Sequence, residues 1–180
     1  MNLPALDLRP GMIVSYQGQM CAVVWWNILR NDRRQFIQMR IKDVLTGRVT
    51  ELKETSDSKF EVLDKEEKDL AYSYRDGLDE VFFTPEGEEI RCPAHAAEDA
   101  LVWEADSYTG FYIDGKLVSV SPPRMCIATV AETEPPIKGA GTGQKDAKLD
   151  NGVTIKVSQI VDVGDRVKVD TESLEFKERV

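Results

Sequence analysis

Apolar positions fall in short runs separated by glycine-bearing turns, a pattern that predicts strands rather than helices. "GMIVSYQGQMCAVVWW", residues 11–26, holds two such runs joined at Gln17-Gly18, a hairpin signal. "QFIQMRIKD", residues 35–43, alternates without a break. Ile37, Met39 and Ile41 point to one face, and Gln38, Arg40 and Lys42 to the other. Thr46-Gly47 marks a turn before "RVTEL". Five short strands in roughly sixty residues predict a small barrel. Trp25 and Trp26 are adjacent and face opposite sides of their strand. One is expected in the core and the other packed at the base of the loop that follows.

The polar stretch "DKEEKD", residues 64–69, reads as a linker. Beyond it come "LAYSYRDG", "EVFFTPEGEEI", "GFYIDGKLVSVSPP" and "MCIATVAET", with turns at Asp76-Gly77, Glu86-Gly87 and Asp114-Gly115. Tyr72, Tyr74, Phe82 and Phe83 are expected in a barrel core. Asp79, Glu80, Glu86, Glu88 and Glu89 are expected to form a hydrated acidic face rather than an acid–base pair. The one helix candidate runs from about Ala94 to Ala105, with Pro93 near its start and Leu101 and Val102 available to pack inward. Pro135-Pro136 marks a second boundary. The glycine- and lysine-rich loop "IKGAGTGQKDAK" follows, then strands in "VTIKV", "RVKVD" and "LEFKERV". The chain thus divides into units at 1–64, 65–130 and 131–180. The last two each fit a five-stranded oligonucleotide/oligosaccharide-binding barrel.

With 180 residues, 42% of them hydrophobic, the chain is long enough for one large domain or two to three small ones. No stretch approaches the ~20 apolar residues that span a bilayer. "MNLPALDLRPGM" lacks the basic and apolar regions of a secretory signal. Cys21, Cys92 and Cys126 are odd in number and widely spaced, which suits a reducing cytosol better than a disulfide framework. "CPAH" sets Cys92 near His95, but His95 is the only histidine. Neither a metal site nor a His-based nucleophile system has its partners. No metal, cofactor, membrane partner or enzymatic activity is expected.

The net charge of −9 argues against a generic nucleic-acid binder, yet it is unevenly spread. Residues 1–64 carry nine Lys and Arg against eight Asp and Glu, whereas residues 65–130 carry six against fourteen. "NILRNDRRQF" packs Arg30, Arg33 and Arg34 into one short loop, with Asn31 and Asp32 between them. Local rules alone would leave such a hairpin tip in water. A polyanionic partner would be met by this first third.

The order of several segments resembles one family, bacterial elongation factor P and its paralogues. "LRPGMIVSYQGQMCAVV" is similar to the family's opening hairpin, and "MRIKDVLTGRVTE" to the strand and turn after its functional loop. "YSYRDG" resembles the start of its second domain, and "GKLVSVSPP" that domain's Gly-x-x-hydrophobic-x-Val-x-Pro-Pro stretch. "AETEPPIKGAGTG" and the segment from "KDAKLDNGV" to the end resemble its third domain. The resemblance implies an all-β protein of three small barrels, a KOW/SH3-like barrel followed by two oligonucleotide/oligosaccharide-binding barrels, in an L-shaped, tRNA-like outline. It implies a cytoplasmic, non-enzymatic factor that binds the ribosome, its RNA and proteins, beside peptidyl-tRNA. There the factor stimulates peptide-bond formation at stalled sequences such as consecutive prolines.

In that family the first domain's hairpin tip bears one long basic residue, usually extended by a modifying enzyme. Counting back without a gap from "MRIKDVLTG" puts that position on Asp32. Three readings stand. The register shifts by one and Arg33 is the working residue. An unmodified arginine among Arg30, Arg33 and Arg34 substitutes, as in a paralogous subfamily that shares an "MR..DV.TG" segment. Or the tip serves another ribosomal task. Arg40, Lys42 and Arg48 are the expected phosphate contacts on the first barrel. In the third domain the family's loop approaches the codon in the exit site. Here that loop is two residues shorter and lacks the family's Asp-Thr pair, but keeps Lys138, Gly139, Gly141, Thr142 and Lys145 as candidate contacts.

Overall fold

The computed structural model describes residues 1–180 except Asp32, Lys138 and Ala140. Its first sheet has the order β1 (Asn2–Pro4), β6 (Lys59–Val62), β2 (Ile13–Tyr16), β3 (Gln19–Arg30), β4 (Gln35–Asp43), β5 (Val49–Thr55). It curls round Leu8, Val14, Val23, Ile37, Met39, Ile41, Leu52 and Phe60. The β2–β3 turn sits at Gln17 and Gly18, both at positive φ, which matches the twist of a tight hairpin. The register of β3 against β4 shifts between Val23 and Trp25, a bulge that re-aims the outer half of β3. Neither tryptophan is fully buried. Trp26 packs against the core and donates its indole N–H to the Ala5 carbonyl at 3.0 Å, while Trp25 lies on the outer face.

The second sheet has the order β11 (Lys116–Ser121), β10 (Tyr108–Ile113), β7 (Glu66–Asp76), β8 (Asp79–Phe83), β9 (Glu89–Pro93). Its outer strands meet again at the back, where α1 (Ala94–Leu101) packs on β11, β9 and β8. Most of the polar stretch read as a linker is therefore strand, with Glu66 to Asp69 paired to Tyr112 to Thr109. An antiparallel strand tolerates one solvated face, and these charged side chains occupy it. The helix ends at Leu101. Ala97 and Ala100 are the residues it buries, and Val102 stays exposed. Of the four aromatics expected inside, only Phe82 is buried. Tyr72 and Tyr74 remain exposed on β7, which buries Leu70, and Phe83 remains exposed because it follows the buried Phe82 and faces the other side of β8. Glu80, expected on a hydrated face, is buried beside Arg75, 3.7 Å away. Gly110 is required by packing, since a Cβ there would stand 2.5 Å from Leu70 Cδ1.

The third unit is a closed barrel of β12 (Met125–Thr133), β13 (Gln144–Leu149), β14 (Thr154–Ser158), β16 (Glu175–Arg179) and β15 (Arg166–Asp170). β12 pairs with β13 and β15, so the division falls before Met125 and not near Pro135. Cys126, Ala128 and Val130 fill this barrel's core, and Trp103, just past the helix, inserts among them.

Two interactions anchor the third barrel. Lys145 was expected at an RNA surface, but it is buried and donates to the Glu134 and Val161 carbonyls, each at 2.5 Å. Its position in the alternation of β13 turns it inward, and two carbonyls offset the burial of its charge. Asp170, also buried, accepts from the Glu172 and Ser173 N–H groups and faces Arg124 Nε at 3.2 Å. The Ser173 N–H, then Arg124 and the Glu172 N–H, hold its carboxyl below the usual range against the opposing effect of burial.

Replacing Lys145 with Met strands two carbonyls and is expected to cost about 1–3 kcal/mol in urea unfolding. A phosphate-contacting lysine would leave stability unchanged. For Asp170 the folded state favours the carboxylate, so its contribution is complete above about pH 4 and is lost as pH falls through the lower folded-state value. The gap between the urea midpoints of wild type and Asp170→Asn should therefore narrow from about pH 6 to about pH 2. A constant gap contradicts this.

Candidate RNA-facing hairpin of the first barrel

The arginine loop closes where Asn31 and Arg34 exchange backbone bonds, Asn31 N to Arg34 O at 3.0 Å and Arg34 N to Asn31 O at 3.3 Å. Arg30 pairs with Gln35 just below. Arg33 lies exposed in the turn, Arg30 and Arg34 are exposed beside it, and Asp32 lies outside the described residues. Among the described residues none of these three arginines has a carboxylate within 4.0 Å. The tip therefore carries three cations in water at the end of the long β3–β4 hairpin, which β5 braces as far as Gln35 through Ser56 N to Gln35 O.

Below the tip the outer face of β3–β4–β5 runs in rows. Trp25, Arg40 and Glu51 form one row, Asn27, Gln38 and Lys53 the next, and Leu29, Phe36 and Thr55 the third. Arg40 Cζ sits over the Trp25 ring, 4.8 Å from its centroid, and Lys53 Nζ over Phe36 at 4.9 Å. Glu51 stands 3.9 Å from Arg40 and also accepts from Gln38. Lys53 carried no motif, and only the cross-strand register reveals its pairing.

Of the other expected contacts, Arg48 is exposed at the β4–β5 turn. Lys42 is not available to RNA. Its Nζ donates to the His95 carbonyl at 2.6 Å and to Glu98 at 2.9 Å, joining the first barrel to the helix of the second. The residue faces outward as the alternation requires, but that part of the face is covered. His95 is a joint residue as well, with its Nε2 3.2 Å from the Leu45 carbonyl. Gly47, at positive φ, leaves room for the His95 ring, which a Cβ would meet at 2.8 Å. Ile13, Val44, Ile113 and Val118 bury a small shared core behind these bonds. A cleft of about 700 Å³ opens beside the joint. In it Lys65 lies 4.0 Å over Phe111, donates to the Gly11 carbonyl and is pushed below its usual pKa by burial.

In the third barrel Gly139, Gly141 and Thr142 are exposed in the glycine loop, both glycines at positive φ. Lys138 lies outside the described residues. Lys145 is in the barrel interior. The loop and the arginine tip are thus separate surfaces on different barrels.

No group of three His, Cys, Asp or Glu able to hold a metal exists among the described residues. All three cysteines are free and buried. Burial, then Glu80 and Asp79, pushes the Cys92 thiol up to about 12, which removes it as a nucleophile at neutral pH. No helix among the described residues is long and apolar enough to cross a membrane.

Two family models match the chain. The elongation factor P KOW-like domain covers residues 4–60, and the elongation factor P C-terminal domain covers residues 127–179. Elongation factor P of Thermodesulfovibrio yellowstonii is 33% identical over 97% of this chain and 96% of that protein. That of Laribacter hongkongensis is 31% identical over 97% of this chain and 98% of that protein. Among solved structures, eukaryotic translation initiation factor 5A from Methanococcus jannaschii matches with TM-score 0.44 at 14% identity, covering 67% of this chain and 93% of that one. With both of its outer barrels matched to the family's domains and relatives aligned along nearly its whole length, the chain belongs to the elongation factor P family of translation factors.

Proposed function

We propose that this chain binds the ribosome beside peptidyl-tRNA in the cytoplasm and stimulates peptide-bond formation at stalled sequences such as consecutive prolines. The observation that carries this reading is the exposed arginine tip, Arg30, Arg33 and Arg34, on an otherwise acidic member of the family. Ribosomal RNA is densely anionic, so the cationic end of the molecule is the end suited to approach the catalytic centre. Arg48, exposed at the β4–β5 turn, fixes register through phosphates without reading sequence. The acidic middle barrel faces away from RNA or toward protein.

Proline reacts slowly because its ring fixes φ and makes its amine secondary. A factor without acid–base groups can still accelerate the step by holding the tRNA end in a productive orientation, which spares entropy at the transition state. Arg33 is the residue assigned to that contact, with Arg30 and Arg34 as charged neighbours. Because its guanidinium is permanently charged and forks to two acceptors, it can clamp a phosphate without modification.

The test is in vitro translation of a polyproline template with and without the protein. Wild type should relieve the stall, and Arg33→Ala should slow relief roughly tenfold, the equivalent of one lost charged contact. Relief that survives replacement of all three arginines by alanine removes the tip from the mechanism. No relief from a folded, ribosome-bound wild type favours a paralogue with a different ribosomal task, the reading that Asp32 motivates.

A further inference from the structure

The rows beneath the tip carry more than charge. Resting on the assignment of the first barrel as the RNA-facing one, we propose that the outer face of β3–β4–β5 is a stacking platform for unpaired RNA bases. Arg40, lying over Trp25, and Phe36, from whose ring face Lys53 Nζ moves aside, are its two base-bearing positions.

The opposite face of the same strands is filled by Ile37, Met39 and Leu52, so the outer face owes nothing to the core. Yet it holds two half-buried aromatic rings, each attended by a cation. A surface that bound phosphate alone would need the cations and not the rings. Bases stack on aromatic rings and on arginine planes, and an arginine over a ring adds a cation–π attraction of its own. The Arg40 side chain is 51% exposed while its guanidinium lies over Trp25, which leaves its outer side open to a base. Glu51 restrains it there and is the only carboxylate in the three rows. Asn27 and Gln38 lie between the two positions, where their amides can meet base edges or sugars.

Phe36 and Arg40 are four strand residues apart, about 13 Å, so they serve different bases. Arg34, exposed just before β4 begins at Gln35, closes the tip beyond Phe36. Positive charge therefore continues from Arg40 and Lys53 to the tip, complementary to a polyanionic strand. A duplex hides its base faces and offers nothing to stack, which selects unpaired RNA.

The test titrates the full chain at low salt with a single-stranded hexaribonucleotide containing 2-aminopurine, whose fluorescence falls on stacking. Wild type should quench it, and the same strand in a duplex should not be quenched. Arg40→Lys keeps the charge and Phe36→Leu keeps an apolar side chain, yet each should weaken binding roughly tenfold. Both should leave the slope of log K against log salt as in wild type. Phe36→Tyr, which keeps a ring, should bind like wild type and guards against misfolding as the cause. Absence of quenching, equal binding of duplex and single strand, or unchanged affinity in both Arg40→Lys and Phe36→Leu would overturn the platform. Co-sedimentation of the same proteins with ribosomes separates the two levels. A wild type that binds ribosomes but not the oligonucleotide sinks the platform and leaves the translation-factor reading standing, whereas binding neither sinks both.

Discussion

Strand β4 is the constraint on which the rest depends. Its alternation, unbroken from Gln35 to Asp43, gives Ile37, Met39 and Ile41 to the core at no more than 1% exposure. The same alternation gives Phe36, Gln38, Arg40 and Lys42 to the outer face. Because the side-chain period is two, a one-residue slip would exchange the sets and bury two cations in place of three core residues. Burial of the inner set thus fixes the position of every outer side chain. One end of the strand delivers Lys42 to the second barrel and the other delivers Arg34 to the closure of the tip.

The joint at Lys42 shows how one charge serves as structure. An exposed ion pair contributes little, but this ammonium is mostly covered and also satisfies a backbone carbonyl of α1. With the Ile13–Val44–Ile113–Val118 cluster behind it, the contact links the first barrel to the second. The second and third are linked in turn by Trp103, an aromatic side chain from the middle unit placed in the last barrel's core. The arginine tip is therefore carried by connected barrels, as a positioning mechanism requires.

Much of the fold was legible because period-two patterns and glycine turns are local signals. The β4 alternation, the Gln17-Gly18 and Asp114-Gly115 hairpins and a helix starting at Ala94 all follow from residues near in sequence. What was not legible depended on distant partners. Lys42 and Lys145 looked like surface cations, and only a carbonyl from another element made each structural. Tyr72, Tyr74 and Phe83 read as core because aromatics usually are, but β7 buries Leu70 instead and Phe83 alternates with the buried Phe82. Met125 to Thr133 is a strand in either reading, but pairing with β15 decides its barrel. The arginine tip was visible at once, whereas the Lys53–Phe36 pair required the β4–β5 register.

The central claim is that the tip of this hairpin stands at the aminoacyl end of peptidyl-tRNA. Directed hydroxyl-radical probing tests it most directly, using an iron chelate tethered to Arg33→Cys, since the three native thiols are buried. On stalled ribosomes the account predicts cleavage of the tRNA 3′ end and of the ribosomal RNA around the peptidyl-transferase centre. A chelate on the exposed third-barrel site Lys148→Cys should leave those positions uncut. Cleavage elsewhere from position 33, or the same pattern from both sites, would contradict it.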